Sequence, residues 1–326
     1  MSFNRITEHI EKTRQAVRAS AAAAYIIHKG NVVHEWYTGT HSHNQHSRRV
    51  DARSQFHAAS VRKTYLGLAV SLAVSECKIS SIDEPAARYL NAAEQADLDS
   101  RDVTIRHLLT HTHGLMDTGT CQFEPGTRWA YNNAGVDLLI RIIRNVYDKP
   151  LASLLKERVF DPCELHDTGW RSREDELLVW QGGPYCSEDG SEANLFVSAR
   201  ELAIWGQLHL AKGMVQGKQI LPSAVIEQAT TTITPDWLAD SSPRNGFLWY
   251  YQDRPRELSE IGPSVPAGSY QALGMSGCTC LVIPECQLVC VRMLNQSGPN
   301  PPGYDYLRDI RDYGDLVYQC VSQSIM

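Results

Sequence analysis

No stretch of this 326-residue chain is apolar for long enough to suggest a membrane-spanning helix. The longest strongly apolar stretch near the N-terminal third, Thr64 to Ser75, has 12 uncharged residues, against roughly 18 for a spanning segment. Basic clusters are equally scarce. Lys and Arg total 31 against 37 Asp and Glu, a formal net charge of −6, and no run of them makes the electrostatic footprint a polyanion requires. Nucleic acid and membrane are therefore not expected partners. The opening residues mix Glu, Arg, Lys and Gln with single apolar residues and lack the apolar core of a secretory signal, so a cytoplasmic protein is expected. Nine scattered cysteines, an odd number with no C-x-x-C pair, suit reduced thiols better than a disulfide framework. There is no G-x-S-x-G elbow, since Ser276 in Gly-Met-Ser-Gly has the wrong spacing, and no phosphate-binding G-x-x-x-x-G-K-[ST] loop. Repeats and low-complexity segments are absent as well.

What is present is ordinary soluble composition, 43% hydrophobic and 21% charged, in a chain long enough to split into two packed subdomains. Residues 3–18 carry apolar positions at helical spacing, and Ala24–His28, a Lys29-Gly30-Asn31 turn and Val32–Tyr37 read as a hairpin. From about Val61 to Ala87, and from Thr104 to Val159, the spacing is helical, and Ala199 to Ala211 continues it. Short strands follow at Phe247–Tyr251, Tyr270–Leu273, Thr279–Ile283 and Leu288–Leu294, then a closing helix from Tyr304 to Ser322. Strands at both ends with helices between predict an α/β (α+β) fold. One antiparallel sheet is built from both termini and flanked by helices, with an all-helical subdomain inserted. The expected division is an α/β subdomain from 1–60 and 210–326 and a mainly helical one from 61–209.

Three segments carry chemistry. In Phe56-His-Ala-Ala-Ser-Val-Arg-Lys-Thr-Tyr65, Ser60 and Lys63 are three apart at a helix start and share its first turn. A lysine can deprotonate a serine only if burial and neighbouring cations depress its pKa, and the free N–H groups of a helix start suit an oxyanion. In Trp129-Ala-Tyr-Asn-Asn-Ala134, Tyr131 and Asn133 are expected to point the same way, one able to relay a proton and the other to bind a carbonyl. The strand Tyr270–Leu273 runs into Gly274-Met-Ser-Gly277, whose glycines permit close backbone approach to a ligand. Each pattern alone has an ordinary structural explanation.

Together and in this order they resemble the serine beta-lactamase and penicillin-binding protein superfamily, in particular the class C beta-lactamase-like branch of esterases, amidases and 6-aminohexanoate-dimer hydrolases. Ile82–Leu90, Thr104–Leu115, Phe123–Thr127 and Val159 through Trp170 also resemble that branch. The resemblance implies a beta-lactamase/transpeptidase-like fold with the active site at the interface of the two subdomains. Ser60 becomes the acylated nucleophile, Lys63 its base partner, Tyr131 and Asn133 the Y-x-N pair, and the backbone N–H groups of Ser60 and Met275, beside Gly274, the oxyanion hole. One position departs. Where penicillin-recognising members carry Lys-Thr/Ser-Gly and many esterase-like members His-x-Gly, this chain has Ala272-Leu273-Gly274, which weakens the case for beta-lactam turnover.

The implied activity is a serine hydrolase acting on a small-molecule ester or amide, with no cofactor and no metal. His107, His111 and His113 lie close in sequence but fall in a helix end and turn where a structural role is expected. Cys278, Cys280, Cys286 and Cys290 lack zinc spacing. Pocket walls are expected from Gln181–Glu192, Trp237 and Trp249. Alternatives are a catalytically silent binding protein built on the same cleft, and an acyltransferase using the same Ser-Lys-Tyr set. Asn295-Gln-Ser297 fits a glycosylation acceptor, relevant only in a secreted chain.

Overall fold

Four consecutive alanines, Ala21 to Ala24, are poor strand formers, yet the strand begins there, running Ala21–His28 with every residue buried. The reason is tertiary. This strand is sandwiched between helices on both faces, and small side chains let those layers approach closely. The computed structural model describes residues 3–95, 98, 102–116 and 120–322. Its main sheet has six strands in the order Asn31–Gly39, Ala21–His28, Leu288–Leu294, Thr279–Ile283, Tyr270–Leu273 and Tyr250–Tyr251, and every neighbouring pair is antiparallel. Ala22, Ala24 and Ile26 face the N- and C-terminal helices, Asn4–Ala16 and Tyr306–Ser322. Ala21, Ala23, Tyr25 and Ile27 face the larger core shared with helix Ala199–Leu210. This is the expected sheet built from both ends of the chain.

The intervening segment is mostly helical, as its spacing predicts, but it also contributes to a four-stranded sheet ordered Thr168–Trp170, Leu195–Ser198, Gln55–His57 and Leu178–Val179. These strands are two to four residues long, too short to show a period. The expected strand over Phe247–Tyr251 is shorter, since Leu248 takes a left-handed conformation at φ 64° and only Tyr250–Tyr251 pairs. Among the described residues no helix is long and apolar enough to cross a membrane.

Central to the fold is helix Arg62–Ser75, whose residues from Arg62 to Ala73 are all buried. A helix apolar on every side must be enclosed. Gly67 makes that closeness possible: a Cβ there would lie 2.0 Å from the Phe247 carbonyl oxygen. The helix start, with Ser60 just before it, is thereby fixed against both the insertion and the sheet.

Candidate active site

Ser60 sits in a tight turn over Ala59–Val61 that leads directly into the buried helix. Ala59 immediately before it is left-handed, φ 48°. A non-glycine residue rarely adopts that conformation, and its surroundings must hold it there. The Tyr270–Leu273 strand supplies the opposing wall. Gly274 lies so close to this turn that a Cβ would come 2.5 Å from the Ala58 carbonyl oxygen and 3.3 Å from the Ala59 Cβ. Glycine is needed here for space, which is why the third segment ends in it.

Lys63 is 3% exposed. Burial pulls its pKa down to about 7, the adjacent Arg62 guanidinium adds to the effect, and Asp137 opposes it. The ammonium is the costly form in such a place, so near neutrality a large share of Lys63 is free amine. Its Nζ contacts the Tyr131 hydroxyl and lies 3.8 Å from the ring centroid. The same hydroxyl is 2.6 Å from Ser60 Oγ. The sequence spacing suggests that amine and serine touch directly; instead Tyr131 stands between them. Although 44% accessible, Tyr131 turns its hydroxyl onto both partners. Burial raises its pKa, with the Ser60 hydrogen bond and Arg62 acting the other way, so the phenol is neutral at rest.

Several residues whose place beside Tyr131 and Gly274 the sequence patterns did not show hold this constellation. The His111 ring lies 4.8 Å from the Tyr131 ring, and the His111 carbonyl accepts from the Ala130 N–H at 2.9 Å. Burial keeps this imidazole neutral. His113 accepts from the Leu115 N–H at 3.0 Å and packs against Gly135, while His107 caps the helix Ile105–Leu109. All three histidines therefore have structural contacts. On the other wall, Tyr306 donates to the Gly274 carbonyl at 3.1 Å. Arg292, fully buried, donates from Nε to the Gly277 carbonyl at 3.1 Å and pairs with Asp309 at 2.8 Å. The 274–277 turn is thus anchored to the C-terminal helix.

Asn133 stands at the start of helix Ala134–Tyr147 with an exposed side chain and makes no hydrogen bond to Ser60, Lys63 or Tyr131. Met275 is 74% exposed on the turn that packs against Ala58 and Ala59. Ser276 is buried and donates to the His57 carbonyl at 2.9 Å. Within the 181–192 loop, the Tyr185 hydroxyl meets His57 Nε2 at 3.1 Å, three residues before Ser60. Trp237 is exposed and donates to the Gly126 carbonyl at 3.0 Å. Trp249 is no pocket wall. It is wholly buried, packed edge-on against Tyr270 at 5.2 Å and tilted against His209 at 5.0 Å, because the short Tyr250–Tyr251 strand turns it into the core.

The beta-lactamase family model matches residues 6–315. The chain belongs to the beta-lactamase family. An uncharacterised protein of Alkalihalophilus pseudofirmus is 41% identical over 330 aligned residues, covering 98% of this chain and 96% of that one. Esterase EstB of Burkholderia gladioli is 25% identical over 219 residues, 55% of each chain. Among solved structures, EstCE1, described as a hydrolase with promiscuous acyltransferase activity, superposes with a TM-score of 0.73 at 19% identity, covering 95% of this chain and 97% of that one. The fold is thus that of the beta-lactamases and penicillin-binding proteins, and an esterase is among the relatives by sequence.

Proposed function

We propose that this beta-lactamase family member is a serine hydrolase that cleaves a small ester or amide through an acyl-enzyme on Ser60. The observation that carries the reading is the continuous Ser60–Tyr131–Lys63 contact, ending on a buried amine whose pKa lies near 7. In the free enzyme the neutral Lys63 amine accepts the Tyr131 proton as Tyr131 accepts that of Ser60, and Ser60 Oγ adds to the substrate carbonyl. The N–H groups of Ser60 and Met275 face the resulting oxyanion. The Gly274 N–H is already bonded to the Cys278 carbonyl at 2.8 Å, which leaves Met275 as the donor on this turn. Collapse expels the leaving group with a proton returned from Lys63 through Tyr131, and a water attacks the acyl carbon by the same relay. Asn133, at the mouth of the site, is the residue to hold the acyl group.

Ala272 is buried and carries no charge for a beta-lactam carboxylate, so esters are the substrates of choice and penicillins poor ones. Hydrolysis of para-nitrophenyl acetate and butyrate beside nitrocefin tests this directly. Ester turnover well above that of nitrocefin supports the reading, and no ester turnover by the folded protein overturns it. EstCE1 gives specific reason to add alcohols as competing acceptors, since acyl transfer uses the same residues with an alcohol in place of water.

The pH profile follows from Lys63. Protonated Lys63 cannot accept a proton, so kcat/KM for a neutral ester rises with pH through about 7 and then levels. A single-proton acid limb at that position is the expected result. A limb in the carboxylate range instead assigns the base elsewhere.

Gly274 gives a third test. Gly274→Ala forces the strand end and the nucleophile turn apart, and a displacement of about 1 Å costs on the order of 10²-fold in rate. Steady-state kinetics on the folded variant check it, and wild-type kinetics contradict the close packing.

A further inference from the structure

Arg62 is a buried charge without a partner among the described residues. It is 7% exposed, yet among the described residues it forms no hydrogen bond and no ion pair, and its Nε is buried without a partner. A buried unpaired guanidinium is expensive, and native proteins normally satisfy such a group. Arg62 follows Ser60 by two residues and directly precedes Lys63, at the first position of the helix that the Ala59–Val61 turn leads into. His57, Tyr131 and Tyr185 all lie within its field. The carboxylate that acts on it most is Asp137, exposed on helix Ala134–Tyr147. The guanidinium is therefore held in a low-dielectric wall with its Nη groups uncommitted.

We propose that Arg62 is the substrate-anion receptor of this enzyme, so that the preferred ester or amide carries a carboxylate that pairs with the guanidinium while its carbonyl reaches Ser60. This deepens the hydrolase reading and rests on it. The pairing is a charge-assisted, planar two-point contact, the kind of carboxylate recognition for which Arg is suited. It also supplies from the helix side a cation that the Ala272 position does not provide.

The test compares matched charged and neutral esters in wild type, Arg62→Met and Arg62→Lys. A carboxylate on the acyl side is probed with para-nitrophenyl hemiglutarate against para-nitrophenyl valerate. A carboxylate on the leaving side is probed with para-carboxyphenyl against para-carbamoylphenyl butyrate. Arg62 also bears on Lys63, which alters all rates together, so the ratio within each pair is the readout. Wild type is expected to favour one charged ester by about ten- to a hundredfold; Arg62→Met abolishes that preference, and Arg62→Lys retains part of it. Ratios that are the same in wild type and Arg62→Met for both pairs overturn the proposal. Should Arg62→Met fail to fold, Arg62→Gln and Arg62→Lys carry the comparison. Calorimetric titration of glutarate into Ser60→Ala, with and without Arg62→Lys, separates the two readings. Glutarate binding weakened by the second change supports the anion site even where no ester is turned over. Absence of glutarate binding alongside brisk hydrolysis of neutral esters removes the anion site and leaves the hydrolase standing.

Discussion

Tyr131→Phe is expected to lower kcat for an activated ester about 10³-fold with the fold intact, because it removes the hydroxyl that hydrogen-bonds both Ser60 Oγ and Lys63 Nζ. General acid–base groups contribute about 10²–10⁴-fold. Lys63→Met removes the other half of the relay and is expected to cost a similar factor. The Lys63→Met/Tyr131→Phe double variant should be little slower than either single one, since the two act as a unit. Multiplicative losses contradict a shared relay. Lys63→Met carries a second signature. Lysine in the unfolded chain is protonated at pH 7, whereas burial disfavours that form in the folded protein. Wild type thus loses stability as pH falls from about 10 toward 7, and the Met variant is spared that loss. At pH 7 its Tm should rise by a few degrees, so that stability and activity move in opposite directions.

Ser60→Ala is expected to abolish ester turnover to near background, a loss on the order of 10⁵–10⁶-fold for a nucleophile of this kind. The fold should be unaffected. Among the described residues the Ser60 hydroxyl has a single side-chain hydrogen bond, to Tyr131, and Ala at this site leaves the helix start and the left-handed Ala59 unchanged. Retention of full hydrolysis by a folded Ser60→Ala protein contradicts the nucleophile assignment. A loss of activity accompanied by loss of the thermal transition instead assigns Ser60 a structural role.

Much of this was legible in the amino-acid order because the relevant signals are local. Ser60 and Lys63 share one helical turn, and Gly274 marks a close approach that the structure then displays against Ala58 and Ala59. The six-stranded sheet followed from strand patterns at the two ends of the chain. What escaped depends on contacts between distant residues. Spacing put Lys63 beside Ser60, but only the fold shows Tyr131, from 68 residues further along, inserted between them. His111 reads as one of three clustered histidines, and its place against the Tyr131 ring comes from the loop that returns Ala130 to its carbonyl. Trp249 looked like a cleft residue, but Leu248 bends the chain and buries it. Arg62 carries no sequence signal beyond its charge, and its isolation becomes visible only when every neighbour is in place. The alanine strand is the converse case, where packing between two helical layers overrides a weak local preference.

Covalent labelling shows whether Ser60 is an activated nucleophile. Wild type and Ser60→Ala, both confirmed folded, are exposed separately to a fluorophosphonate, to para-nitrophenyl acetate and to a penicillin, and their intact masses are measured. One fluorophosphonate adduct is expected on wild type, mapped to the Ser60 peptide and absent from Ser60→Ala, with a transient acetyl adduct from the ester and little or none from the penicillin. An adduct that persists in Ser60→Ala, or a wild-type protein that no reagent labels, contradicts the Ser60 assignment.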